Sequence, residues 1–108
     1  MDAMDARAVR FAEVGRVLSG AARAGGLEAP TFRSPPRVLH RDRTLRRRHG
    51  ASPTVAVRLN GRPFAAVVAD MVEGVLVANG LVDDDAARWR RDLWSAVERA
   101  TGEVLEAA

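Results

Sequence analysis

The chain has 108 residues, the length of one ordinary domain, so we expect residues 1–108 to form a single small domain. It contains no cysteine, which excludes disulfides, thiolate nucleophiles and cysteine-ligated zinc. All 17 basic residues are arginine and 14 residues are acidic, which gives a formal net charge of +3. No apolar stretch is long enough to span a membrane, and the first residues are acidic where a signal peptide is basic, so we expect a cytoplasmic protein.

An amphipathic helix is predicted over residues 2–24, because apolar residues recur there at steps of three and four. These residues are Met4, Ala8, Phe11, Leu18 and Ala22. Gly25 and Gly26 follow, and glycine readily takes the left-handed conformation that ends a helix. A linker is predicted over about residues 25–37, because it contains three prolines, with Phe32 packed against the core.

The strongest local signal is Asn60-Gly61 between two apolar runs, residues 54–59 and 62–68. An Asn-Gly pair in this context is typical of a two-residue hairpin, because both turn positions need a positive φ. Pro63 places the second strand at an edge, since proline cannot donate to a ladder. The other side of the first strand is then available to residues 43–48, and we predict a three-stranded antiparallel meander.

Helices are favoured over the last third of the chain. The Asp-x-x-Glu spacing that starts at Asp70 and the position of Gly80 favour a short helix over residues 70–79, although the density of β-branched residues leaves a fourth strand as the alternative. A long helix is predicted over residues 83–100, with Gly102 after it. The predicted fold class is therefore α+β, with a three-stranded antiparallel meander packed against an N-terminal helix and one or two C-terminal helices.

Arginine is concentrated in residues 33–48, which we call the basic segment and which carry a net charge of +6. Its arginines are Arg33, Arg37, Arg41, Arg43, Arg46, Arg47 and Arg48. Residues 83–108, in contrast, carry a net charge of −3. Each arginine brought to a phosphate releases condensed counterions, so the basic segment is a candidate to bind DNA or RNA without sequence preference.

The basic segment also has other interpretations. Its arginines can solvate an exposed strand and protect a sheet edge from aggregation. They can also pair with acids, within one molecule, across a homodimer or on an acidic protein partner. The candidate acidic partners in the C-terminal region are Asp83, Asp84, Asp85, Glu98, Glu103 and Glu106. We therefore predict a non-catalytic accessory or regulatory protein that contacts nucleic acid, with a protein-interaction or self-assembling module as the alternative.

No pattern of residues predicts an enzyme, a cofactor or a metal site. His40, Asp42 and His49 are of types that bind Zn²⁺ or Fe²⁺, but the neighbouring arginines oppose the binding of a cation. The serines lack the Gly-x-Ser-x-Gly context of a nucleophile elbow. The glycines near Gly25 follow a predicted helix, whereas those of a phosphate-binding loop precede one.

Three stretches of the chain resemble small, arginine-rich proteins of actinobacterial genomes. They are Arg33-Ser34-Pro35-Pro36-Arg37, residues 42–47 and residues 65–79. The resemblance implies a bacterial cytoplasmic protein, and it assigns no catalytic or binding residue.

Overall fold

The computed structural model describes residues 3–33, 54–57 and 62–102, and this part of the chain is mostly helical. It contains three helices and two short strands, in the order α1 (Ala3–Ala24), β1 (Thr31–Arg33), β2 (Thr54–Ala56), α2 (Phe64–Ala78) and α3 (Asp83–Thr101). The predicted N-terminal helix and the predicted long helix from Asp83 are both confirmed.

A glycine with a positive φ follows each helix within one or two residues. After α1, Gly26 has φ 83° and the Leu27 N–H donates to the Ala22 carbonyl at 2.9 Å. Gly80 after α2 and Gly102 after α3 have φ 65° and 71°. These left-handed residues turn the chain back while satisfying carbonyls of the last helical turn, as the sequence predicts.

The two strands pair in parallel, with Phe32 opposite Val55. The Val57 N–H extends the ladder by donating to the Arg33 carbonyl at 2.9 Å. Val55 of β2 and Val57 directly after it are both buried, as residues two apart in an extended segment point to the same face. Within the predicted linker over about residues 25–37, residues 31–33 form β1, and residues 34–37 lie outside the described residues.

The predicted antiparallel meander is wrong. Its edge strand, residues 62–68, falls mostly within helix α2, and β2 pairs with β1 instead. The other predicted strand, residues 43–48, and the Asn60-Gly61 turn lie outside the described residues. The described part of the chain thus contains two parallel strands and no antiparallel pair.

Helix α2 forms because its apolar run continues well beyond the length of a strand. Its 15 residues include only two charged ones, Asp70 and Glu73, so nearly every face of the helix can be buried. Pro63 precedes the first turn, where its missing N–H costs nothing. The helix predicted over residues 70–79 is confirmed, but Asp70 lies in its interior rather than at its start.

The core lies between the three helices and the strand pair. It consists of small and medium side chains, among them Val14 and Leu18 of α1, Met71 of α2 and Leu93 of α3, all fully buried. Burial of a side chain of this size contributes about 1.5–3 kcal/mol. Five aromatic residues are only partly buried and pack around this centre, including Phe32 as predicted: Phe11, Phe32, Phe64, Trp89 and Trp94.

Candidate nucleic-acid interface

Of the seven arginines in the basic segment, the structure describes Arg33, which is exposed at the end of β1. The other six lie outside the described residues: Arg37, Arg41, Arg43, Arg46, Arg47 and Arg48. The chain leaves the strand pair after Arg33 and returns to it at Thr54. Since Arg33 is opposite Ala56, these two points are roughly 8 Å apart, given the usual strand spacing and rise.

A groove of about 570 Å³ lies between α1 and the chain that enters β1. The side formed by α1 includes Phe11, Ala12, Gly15, Arg16, Ser19, Gly20 and Arg23. The opposite side is formed by Ala29, Pro30, Thr31 and Phe32.

Small residues on α1 allow the two sides of this groove to approach. A Cβ on Gly15 would lie 3.4 Å from Cδ2 of Phe32, which is ordinary van der Waals contact, so the ring packs against the helix at this position. The Ser19 hydroxyl donates a long hydrogen bond of 3.5 Å to the carbonyl of Pro30, which is fully buried. Phe32 thus lines the groove where it packs against α1, and Phe11 lines the same groove one helical turn before Gly15.

Arg16 and Arg23 give the groove its charge. Both are exposed, and no ion pair joins either of them to another described residue. They lie seven residues apart, so they project from the same side of α1 with a rise of about 10.5 Å between them. Together with Arg33 they form a set of three exposed guanidinium groups around the groove and the end of β1.

Three arginines later in the chain are in a different situation, because Arg62 before α2 and Arg88 and Arg90 of α3 pair with acids. Arg90 of α3 forms a two-point contact with Glu73 of α2, at 2.5 Å from Nε to Oε2 and 3.2 Å from Nη2 to Oε1. These hydrogen bonds and the charge of Glu73 raise the pKa of Arg90 further above its ordinary value. Arg62 pairs with Asp70. Surface pairs of this kind add little stability, but they neutralise charge locally.

The acidic run at the start of α3 has a local role. Asp83, Asp84 and Asp85 occupy the first turn, where negative charge interacts favourably with the helix dipole. Asp85 also contacts Arg88 at 3.4 Å within the same helix. The predicted pairing of these acids with the basic segment involves residues outside the described part of the chain.

Neither metal binding nor membrane insertion has support in the described ranges. No group of three histidine, cysteine, aspartate or glutamate side chains converges there as metal ligands would. His40, Asp42 and His49 lie outside these ranges. The helices described are too short or too polar to cross a bilayer.

The arginines that α1 contributes to the groove were not predicted from the sequence. The spacing of Arg16 and Arg23 could have indicated them, because it places both on one side of the predicted helix, with Ser19 and Gly20 between them. Phe11 and Phe32 line the same groove because α1 packs against β1, and apolar periodicity alone does not predict this packing.

Comparison of the chain with protein-family models, with curated proteins and with solved structures finds no significant match.

Proposed function

We propose that this protein is a non-catalytic accessory or regulatory protein that contacts nucleic acid electrostatically through the basic segment. The supporting observation is the position of three exposed arginines, two on the groove and one at the start of the basic segment. Arg16, Arg23 and Arg33 are exposed without an ion pair to any other described residue, whereas Arg62 and Arg90 on the side of α2 and α3 are paired. Arg16 and Arg23 line a groove that also includes Thr31 and Phe32, the two residues directly before Arg33.

The chemistry of arginine suits this role. Its guanidinium stays charged at every working pH and donates two parallel hydrogen bonds to a phosphate. The six further arginines of residues 34–53 belong to a stretch whose two ends attach to the same short strand pair. Arg33 lies at one of these two ends, so it is the first arginine of the same basic segment. Each phosphate contact releases counterions and strengthens binding at low salt.

The test compares two double variants that remove the same charge. Arg46→Gln with Arg47→Gln changes the basic segment, and Arg91→Gln with Arg99→Gln changes exposed positions on α3 that form no ion pair with another described residue. Affinity for fluorescein-labelled oligonucleotides, duplex and single-stranded, is measured by anisotropy at about 50 mM salt.

We expect the change in the basic segment to weaken binding at least tenfold and to reduce the slope of log affinity against log salt by about two, while the α3 variant stays within about threefold of wild type. Equal losses in the two variants would mean that net charge alone acts. Absence of wild-type binding at this salt would refute the proposal.

A second candidate is a module that uses the same basic segment against an acidic partner or a second copy. It is favoured by Asp83 and Asp84, which are exposed at the start of α3 and form no ion pair with another described residue. Sedimentation velocity at low and high salt separates this role from the first. Self-association that salt weakens supports it, and a monomer under both conditions removes the self-assembling version.

A further inference from the structure

We infer that the groove between α1 and β1 binds the bases of single-stranded nucleic acid, with Phe11 and Phe32 contacting bases and Arg16 and Arg23 contacting the backbone. This inference rests on the proposed function and adds the form of nucleic acid that the protein prefers. It names a site on α1 that lies apart from the basic segment.

The two phenylalanine side chains are candidates for stacking because both line the groove and neither is fully buried. Phe11 and Phe32 pack against the buried core, yet both remain partly exposed and line the groove. Phe32 is fixed by its contact with the Gly15 position on α1. A ring held in this way gives a base a surface to stack on, and every base can use it because all bases have a flat face.

The size and charge of the groove fit the same ligand. Its volume of about 570 Å³ lies within the range of sites that hold small organic groups, about 300–1,000 Å³. Arg16 and Arg23 line it and are exposed, so a backbone that crosses the groove meets positive charge at two points on α1. An anionic chain with flat apolar groups therefore complements both features.

Single strands fit this groove better than duplexes do. In a duplex the bases are stacked on one another and only their edges are accessible, so a pair of phenylalanine rings has no base face to contact. A single strand can turn its bases outward onto aromatic side chains while its phosphates follow a positive groove. The groove also continues to Thr31 and Phe32, directly before Arg33, so a bound strand can extend toward the basic segment.

The test separates the contribution of bases from that of charge. The probes are a labelled oligothymidine of about ten nucleotides and an abasic oligonucleotide of the same length and charge. Gly20 lines the groove, and a Cβ there would meet no atom within 4 Å. Gly20→Leu therefore adds a bulky side chain to the groove without a clash at Cβ. Ala87→Leu is the control, at an exposed position on α3 outside the groove. Circular dichroism melting checks that each variant folds.

We expect oligothymidine to bind wild-type protein at least tenfold more tightly than the abasic probe, since each stacked base contributes about this factor. Gly20→Leu abolishes that preference and Ala87→Leu preserves it. Phe32→Leu, which keeps apolar volume but removes the ring, also lowers the preference and serves if Gly20→Leu does not fold.

Three results would overturn the inference. Equal affinity of wild-type protein for the two probes would mean that only charge is recognised; the proposed function then still stands if the change in the basic segment weakens binding. An unchanged preference in a folded Gly20→Leu variant would mean that bases bind elsewhere. If neither probe binds wild-type protein, the proposed function fails together with this inference.

Discussion

Gly20 and Gly25 lie five residues apart, in α1 and directly after it, and their surroundings differ sharply. A Cβ on Gly20 would project into open space. A Cβ on Gly25 would lie 2.5 Å from Cζ2 of Trp89 and closer still to Cη2. Trp89 of α3 therefore packs directly on the backbone at Gly25, and glycine is needed there for its lack of a side chain.

This difference predicts opposite effects of the same substitution. Gly25→Ala should lower the free energy of unfolding by about 1–3 kcal/mol, because the new methyl group displaces the indole ring. Gly20→Ala should raise it by about 0.5–1 kcal/mol, because alanine favours the helix. Urea denaturation followed by tryptophan fluorescence measures both. A stabilised Gly25→Ala variant would show that Trp89 does not pack against this position.

At the scale of elements, α1 and α3 could be predicted because their apolar spacing and their terminal glycines agree. The helix after residue 61 could not be fully predicted, because a turn motif and a strand-like alternation before it favoured a hairpin, whereas the longer apolar run favoured a helix. Asn60-Gly61 and the alternation of residues 54–59 favour a hairpin. The apolar run that begins at Phe64 is longer than a typical strand, and in the structure burial of this run as a helix outweighs the turn signal.

The contact of α2 with β2 also requires tertiary information. A Cβ on Gly74 would lie 2.6 Å from Cγ1 and 2.9 Å from Cγ2 of Val55, and both residues are buried. Helix α2 thus crosses the strand at a point where it has no side chain. The Gly74 backbone and the Val55 side chain together set the distance between helix and strand.

A double-mutant cycle tests this contact. Gly74→Ala alone should destabilise the protein by about 1–3 kcal/mol through overpacking, and Val55→Ala alone by about 1–2 kcal/mol through lost burial. Because Val55→Ala removes both γ carbons that the new methyl group would meet, the double variant should be more stable than the sum of the two losses predicts by about 1 kcal/mol. Strict additivity in thermal or urea unfolding would contradict the close approach of α2 and β2.

Over the whole molecule, the charge pattern was visible in the sequence but the shape of the site was not. The net charge of +6 in residues 33–48 follows from counting. Arg16, Arg23 and Phe32 line one groove because α1 packs against β1. This packing brings together residues that are distant in the chain. The sequence predicted a basic surface on one segment, and the structure adds a neighbouring groove with exposed arginines.

The central claim is that the basic segment and the neighbouring groove bind the phosphates of nucleic acid. The salt dependence of wild-type binding tests this claim most directly. Anisotropy titrations with a mixed-sequence single-stranded oligonucleotide are performed between about 50 and 200 mM salt. With about three or four phosphate contacts and a slope near −0.7 for each, affinity should fall roughly tenfold to a hundredfold over this range. An affinity that does not change with salt, or no binding at about 50 mM, would contradict the claim.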